Sequence, residues 1–307
     1  MANDISAFIP ELWATPSLER FRQMNLAMSV CANTAYEGTI SRLGDTVHVA
    51  TTTSVTLRPY SRGTAIVYED VTPTDESLTI DQADYGSITL DDVDRAQQDR
   101  DTLALYTNEL GVAIAEKMDT YVFGFHGSAN SSNQISNGGS ALNITASSAG
   151  STHVYDLLVT AGMNLTSRNV GMTGRWAIVT PYYFSLLQKD TVYFTQGSAL
   201  GDQLIISATL GNQPLTGAQA SMKGFVGQCA GFDIYVSNNL PTDGSGNYYC
   251  LYGQGKPISF AAQIKGNFEA LRRESTFGQS VRCLLLYGGR VFTESAKALG
   301  RIYIDNS

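Results

Sequence analysis

Charged residues are scarce in this 307-residue sequence and make up 16% of it, against about 25% in an average soluble domain. The formal net charge is −8, and no cluster of Lys or Arg offers the phosphate contacts that general nucleic-acid binding needs. Gly, Ser, Thr, Asn and Tyr take the place of the missing charges. Such a surface suits a protein that packs many copies against each other, and an ordinary secreted β-rich protein shares it.

Lysine is missing from the first 116 residues, where Arg is the only cation. The Arg guanidinium keeps its charge and forms planar bidentate pairs, which suits fixed contacts between subunits. Also missing are an apolar run near the ~20 residues of a membrane span and a basic segment followed by an apolar run, the mark of a secretory signal. We therefore expect synthesis in a cytoplasm and no association with a membrane.

Cysteine is limited to four residues, with no C-x-x-C pair among them: Cys31, Cys229, Cys250 and Cys283. Each stands among apolar neighbours, as in Val-Arg-Cys-Leu-Leu-Leu around Cys283. This pattern predicts free, reduced and buried thiols in preference to disulfides.

Histidine is equally sparse, with only His48, His126 and His153. None of them has Cys, Asp or Glu at the spacing of metal ligands, and the H-E-x-x-H motif is absent. His126 ends a predicted long helix, where a cation suits the helix dipole. We predict neither a metal ligand nor a general base among these residues.

Three other patterns resemble chemical sites but are incomplete or have a simpler explanation. The acidic run at 91–101 lacks the Gly of a calcium loop, and a tight turn accounts for residues 243–247. Residues 253–257 resemble a phosphate loop, but Pro257 replaces the Ser or Thr that would hold magnesium, and no G-x-S-x-G elbow occurs. The sequence therefore predicts no catalytic residue, no metal site and no cofactor.

The first part of the chain is predicted to be extended. Residues 1–44 form an N-terminal arm whose apolar residues Ile9, Leu12 and Trp13 need a docking surface. Residues 45–90 form a long β excursion, too thin in large apolar residues to carry its own core. Alternating residues predict strands within it at 46–49, 54–57, 65–68 and 77–80.

The remainder of the chain predicts a mixed α+β fold. Residues 91–126 indicate a helix ~45 Å long, with Asp91 and Asp92 at its positive end and apolar residues spaced by three or four. Residues 127–265 alternate helix and strand, including a helix capped by Thr180 and Pro181. Residues 266–307 return to β structure.

Several stretches of sequence resemble the coat proteins of tailed bacteriophages that share the Hong Kong 97-type capsid fold. They are Phe-Ile-Pro-Glu-Leu-Trp at 8–13, Ser-Leu-Thr-Ile-Asp-Gln-Ala-Asp-Tyr at 77–85, Leu-Asp-Asp-Val-Asp-Arg-Ala-Gln at 90–97, Gly-Arg-Trp-Ala-Ile-Val-Thr-Pro at 174–181, residues 226–241 and Leu-Tyr-Gly-Gly-Arg-Val at 286–291. The likeness covers nearly the whole chain.

The resemblance implies a division into the parts of that fold. Residues 1–44 correspond to its N-terminal arm, 45–90 to its extended loop (E-loop), and 91–126 to the spine helix of its peripheral domain. Residues 127–265 correspond to its axial domain, and 266–307 to strands that return to the peripheral domain.

The implied function is that of a major capsid protein, a structural protein of the virion with no active site. Such proteins assemble as hexamers and pentamers into an icosahedral shell, inside the host bacterial cytoplasm, around double-stranded DNA that they do not bind sequence-specifically. The implied partners are other copies of the chain, a portal protein and possible cement proteins. Because the arm begins almost at Met1, we also expect a separate scaffolding protein.

One departure from the family follows from the residues themselves. Some relatives join subunits through a Lys–Asn bond whose lysine lies in the extended loop, but residues 45–90 contain no lysine. That bond is therefore chemically impossible here, and the contacts between subunits must be non-covalent at this position.

Charged residues in the middle of the β excursion and near a later predicted strand are candidates for contacts between subunits. The candidates are Arg58, Arg62, Glu69, Asp70, Arg272, Arg273 and Glu274. Each exposed ion pair stabilises by ~0–1 kcal/mol, so the number of pairs matters more than any one of them.

Two alternative functions remain open at this point. An encapsulin-type compartment shares the fold and encloses enzymes instead of DNA. A soluble hydrolytic or binding protein built on residues 152–265 belongs to a different class, and it lacks a nucleophile, base and acid in a recognisable set.

Overall fold

The computed structural model describes residues 26–36, 46–51, 56–63, 65–66, 68, 70, 73–93, 102–147, 152–190, 225–273 and 277–305. Its helices are α1 (Ala27–Val30), α2 (Thr102–Phe123), α3 (Val154–Ser167) and α4 (Pro181–Gln188). Its strands are β1 (Ala32–Asn33), β2 (Thr46–Thr51), β3 (Thr74–Thr79), β4 (Gln82–Asp91), β5 (Gln134–Ile135), β6 (Arg175–Val179), β7 (Phe225–Cys229), β8 (Phe232–Val236), β9 (Tyr248–Gln254), β10 (Ile258–Arg272), β11 (Gly278–Arg290) and β12 (Leu299–Ile304).

A four-stranded sheet in the order β1-β10-β11-β4 packs against the long helix α2. The strands β10 and β11 form its long antiparallel centre, and β4 pairs with β11 from Gln82 to Asp91. Helix and sheet approach closely at Gly86, where an added Cβ would overlap the Leu110 side chain. A larger residue at this position would require the Leu110 side chain to shift.

A six-stranded sheet in the order β5-β12-β9-β6-β8-β7 forms the centre of the second half of the chain. All five residues of β6 are buried, which is typical of a central strand covered on both faces. Trp176, Phe232 and Tyr252 contribute large rings to its core. Helix α4 begins as the sequence predicts, because the Thr180 side chain accepts the Tyr183 N–H and Pro181 occupies the first turn.

The strands β2 and β3 form a separate antiparallel ribbon. Exposed and partly buried residues alternate along β2, as the sequence predicts for a half-covered strand. The predicted strand at 65–68 is wrong at Ala65, Ile66 and Tyr68, which have no regular structure. Pairing between β2 and β3 ends at Thr51 and Thr74, so these residues lie beyond the ladder.

The long helix exists, and helical structure is present close to its predicted start at residue 91. Asp91 ends β4 and pairs with Gly278 of β11, and α2 is described from Thr102. Asp92 and Val93 are helical, and the Val93 N–H donates to the Asp91 side chain at 2.9 Å, so this carboxylate lies at a helix start as the sequence predicts. Residues 94–101 lie outside the described part of the chain.

The strand pairing divides the last predicted part of the chain. The strands β10 and β11 belong to the four-stranded sheet, whereas β12 joins the six-stranded sheet between β5 and β9. Residues 266–307 therefore contribute to both sheets.

Two further expectations concern the cysteines and membrane association. Cys31, Cys229, Cys250 and Cys283 are free and buried, which confirms the prediction of free thiols. Burial raises the pKa of Cys229 and of Cys250 to about 12, so both stay protonated and unreactive. No helix within the described ranges is both long and apolar enough to cross a membrane.

Candidate assembly surfaces

The excursion between β2 and β3 presents large apolar side chains to solvent. Leu57 is 95% exposed, Tyr60 69%, Ile66 67% and Tyr68 87%. We call these four residues the excursion tip. A folded chain rarely leaves several large apolar groups so bare in one segment, and such a group of residues marks an interaction surface.

The base of the ribbon is held firmly, in contrast to the tip. Leu78 is fully buried and packs with Ile80, Ala261 and Phe292. The Glu76 carboxylate, only 8% exposed, accepts the Thr293 N–H at 3.1 Å. The ribbon therefore leaves the body in a defined direction.

Two contacts from Arg290 of β11 strengthen this base. Its guanidinium donates to the Ser77 carbonyl at 2.7 Å and lies 3.9 Å from the Glu76 carboxylate. Because Glu76 is nearly buried, removing Arg290 would leave a poorly compensated charge at the ribbon base.

A groove of about 740 Å³ opens on the four-stranded sheet. Its lining residues are Tyr85, Ser87, Ile264, Phe268, Glu269, Arg282, Cys283 and Leu284. Tyr85 is 81% exposed, and Phe268 and Leu284 are nearly half exposed. An ion pair of 2.8 Å between Arg282 and Glu269 lies beside these apolar groups. The groove thus offers apolar area together with both signs of charge.

The predicted charged contacts divide between tip and sheet. Arg58, Arg62 and Asp70 are exposed beside the excursion tip, while Glu69 lies outside the described residues. Arg272 donates to Asp92 of the same chain at 2.9 Å, and that pair ties β10 to the end of β4.

The remaining charged candidates are Arg273 and Glu274. Arg273 is exposed, and its backbone N–H donates to the Gly278 carbonyl. Glu274 lies outside the described part of the chain, as do the predicted arm-docking residues Ile9, Leu12 and Trp13.

The segment just after the predicted arm-docking residues is clamped to the body by a buried carboxylate, which the sequence did not reveal. Asp119 of α2 is fully buried and accepts the N–H groups of Leu26 at 3.1 Å and Ala27 at 2.7 Å. Asn239 donates to the same carboxylate at 3.4 Å. Burial raises the pKa of Asp119, and the two backbone donors partly offset that effect. A contact across 92 residues of chain has no local sequence signal.

The three histidines have structural surroundings. His48 pairs with Asp75 across the ribbon at 2.7 Å. His153 caps α3 by accepting the Tyr155 N–H and lies 3.3 Å from the buried Asp190. His126 contacts the cation Arg301, so the expected cationic role at the helix end is wrong. Across the described ranges, no group of three or more metal-ligating side chains occurs.

The chain thus combines a clamped N-terminal segment, an extended ribbon, a long helix packed against one sheet, and a second sheet flanked by helices. Solved structures share this arrangement over their whole length. A chain from Mycobacterium phage Che8 is 25% identical with a TM-score of 0.72, covering 97% of each chain. The capsid of cyanophage P-SCSP1u is 16% identical with a TM-score of 0.73, covering 100% of this chain and 96% of the other. The capsid of Ralstonia phage GP4 is 14% identical with a TM-score of 0.69, covering 99% and 97%.

The fold is therefore that of the Hong Kong 97-type capsid proteins. A family model described as phage capsid protein matches residues 74–298. The chain belongs to this phage capsid protein family, and it is a major capsid protein, a structural component of the icosahedral virion shell. A comparison with curated proteins finds no match. The encapsulin and hydrolase alternatives are not favoured by these findings.

Proposed function

We propose that the chain assembles as hexamers and pentamers that close the shell around phage double-stranded DNA. The observation that carries this proposal is a bare apolar tip on a firmly held ribbon, in a chain of a capsid family. A surface of that kind gains stability only when another copy covers it, at roughly 25 cal/mol per Å² of apolar area buried.

The acceptor of the tip is the groove on the four-stranded sheet of the next copy. The tip residues remain exposed in the single chain, so its own groove does not hold them. The apolar tip has exposed charges of both signs beside it in Arg58, Arg62 and Asp70, and the groove also combines apolar groups with both signs of charge, which allows complementary pairing. A contact between two different surfaces of identical chains closes a ring when the rotation permits it, and repetition around the shell multiplies weak contacts.

The charged candidates take positions along this contact. Arg58, Arg62 and Asp70 stand beside the tip, and Arg272 and Arg273 stand at the end of β10. Glu69 and Glu274 are their neighbours in sequence. These charged residues contribute mainly to the correct alignment of the neighbouring copy. They add little to its affinity, because exposed pairs stabilise by only ~0–1 kcal/mol each. Ile9, Leu12 and Trp13 dock the arm on the body or on a neighbour.

The proposed contents and helpers of the shell follow from charge and from the family. A net charge of −8 favours a shell that encloses DNA without holding it tightly. Assembly takes place in the host bacterial cytoplasm with a separate scaffolding protein, a portal protein at one vertex and possible cement proteins outside. The chain has a structural role without catalysis and without a cofactor.

The proposed parts of the subunit keep the predicted boundaries of 1–44, 45–90, 91–126, 127–265 and 266–307. The strand pairing supports one refinement, since β12 pairs with β9. Residues 299–304 then belong with the axial part and not with the peripheral one.

Sedimentation followed by negative-stain electron microscopy tests the proposal. The expressed chain, alone or with a candidate scaffolding protein, is expected to form closed shells or rings of six and five subunits. A chain that remains a monomer under both conditions would contradict the shell proposal.

A further inference from the structure

A short 3₁₀ turn, Gly124–Ser128, follows α2 directly and connects it to both large sheets. Phe125 packs on β11, where an added Cβ at Gly289 would lie 2.9 Å from its ring. The next residue, His126, stacks on Tyr249 of β9 with ring centroids 4.1 Å apart. Two consecutive side chains therefore fix the end of α2 to different sheets.

The contact with the six-stranded sheet is an ordered stack of rings, which we call the His126 junction. It consists of His126, Tyr249, Arg301 and Tyr303. Tyr249 stacks in turn on Tyr303 at 4.4 Å, and the Arg301 guanidinium lies 5.2 Å from the centre of the Tyr249 ring. Stacked and cation–π contacts of this kind each stabilise the arrangement beyond the area they bury.

Arg301 determines which form of His126 fits the junction. The guanidinium Nη1 lies 3.2 Å from His126 Nδ1, and Nη2 donates to the Gln134 side-chain oxygen at 2.8 Å. Arginine has donors only and keeps its charge, so His126 Nδ1 must be the acceptor. Only the neutral imidazole, with its hydrogen on Nε2, has a lone pair there.

The other groups around the imidazole do not favour a positive charge. Gln134 from β5 is neutral, and the Tyr249 ring from β9 already faces the guanidinium. Asp243 accepts from the Tyr303 hydroxyl and from the backbone N–H groups of Ser245 and Asn247. Its carboxylate is thus joined to the junction through Tyr303 and not through His126.

We propose that the His126 junction is a proton-sensitive connection between α2 and the six-stranded sheet, closed by neutral His126 and opened when the imidazole takes up a proton. The protonated ring would direct an N–H at the guanidinium N–H groups and place two positive charges beside one ring. The contact of Phe125 with β11 is unaffected, so α2 would stay on the four-stranded sheet while losing its hold on the other. This concerns the single subunit and does not depend on how copies assemble.

The pH range follows from the direction of the shift. Burial, and then the charge of Arg301, lowers the pKa of His126 from 6.5 to about 4. The open form takes up the proton more readily than the closed form between these values. The junction is therefore fully closed above pH 6.5, and its stability falls as the pH drops from 6.5 towards 4.

Hydrogen–deuterium exchange of the full chain, corrected for the intrinsic pH dependence of exchange, tests this inference. We expect the protection of peptides covering residues 124–128 and 299–304 to fall on the order of 100-fold between pH 6.5 and 4. The H126Q variant keeps a side-chain acceptor but cannot titrate, so it should lose this pH dependence.

The matched control is H48Q, which removes another histidine that pairs with an acid across the ribbon. It should keep the wild-type pH dependence at the junction. R301Q provides a second test, because removing the positive charge brings the pKa of His126 in the closed form nearer to its ordinary value, and the loss of protection between pH 6.5 and 4 should become smaller. The inference is overturned if wild type and H126Q lose protection in parallel, or if H48Q abolishes the effect as H126Q does.

Discussion

Asp119 is the residue on which the N-terminal segment depends most directly. A buried carboxylate is unfavourable unless donors satisfy it, and here two backbone N–H groups and one amide do so. The donors come from α1 and from a loop after β8, so one side chain of α2 joins three separate parts of the chain. Asp119 thereby fixes the position of Leu26 and Ala27, the point from which the preceding N-terminal segment extends.

The D119N variant tests this role. It replaces one acceptor oxygen with an NH₂ group facing backbone N–H donors, and leaves buried donors unsatisfied. We expect a loss of about 1–3 kcal/mol in the free energy of unfolding, measured by denaturant titration, with faster proteolysis near residues 26–33.

The control for this variant is E116Q on the same helix, where the side chain is only partly buried. It should change stability by less than ~0.5 kcal/mol. Equal stability of D119N and E116Q would contradict the clamp.

The position of the β2–β3 ribbon depends on close packing between its base and β11. Gly288 of β11 lies directly against the ribbon, where an added Cβ would come within 2.8 Å of Ile80 Cα and overlap the Thr79 carbonyl. Backbone atoms cannot move aside as a flexible side chain can. Glycine at this position allows the ribbon to seat on the sheet.

The G288A variant should therefore displace the ribbon base. We expect a loss of about 1–3 kcal/mol in the free energy of unfolding, as for other overpacked sites, measured by denaturant titration. The G124A variant is the control, because nothing lies within 4 Å of an added Cβ there. If G124A is destabilised as much as G288A, the loss of stability in G288A does not come from its contact with the ribbon.

The elements that the sequence predicted well are those with local signals. The strand at 46–49 and the helix after Thr180 form where the sequence predicts them, since alternation and capping act within a few residues. The pairing of β4 with β11 had no such signal, because its two strands are nearly 200 residues apart in the chain. The groove, the Asp119 clamp and the His126 junction also join distant segments, and no local pattern reports such contacts.

At the scale of the whole molecule, the excursion tip and the groove are two separate surfaces that the single chain leaves uncovered. Exposed apolar residues contribute little to the stability of a single subunit, because water reaches them in the folded and unfolded states alike. Their contribution arises when copies meet. Folding and assembly should therefore separate cleanly in variants of the tip.

The Y68S variant should fold normally and fail to assemble. Tyr68 is 87% exposed, so we expect a change below ~0.5 kcal/mol in the free energy of unfolding together with a strong loss of shells in sedimentation. M172S is the matched control, since Met172 is 71% exposed and follows α3, away from the ribbon. If Y68S forms normal shells, Tyr68 does not contribute to the contact between subunits.

Cross-linking between copies tests the central claim most directly. The native cysteines are buried, so a short bis-maleimide should react mainly with cysteines introduced as L57C and L284C, one at the tip and one in the groove. In assembled particles the double variant is expected to give covalent oligomers, whereas each single variant and the pair L57C with M172C should give monomers. Absence of covalent oligomers in shells where both introduced thiols react with a monofunctional maleimide would contradict the seating of one tip in the groove of the next copy.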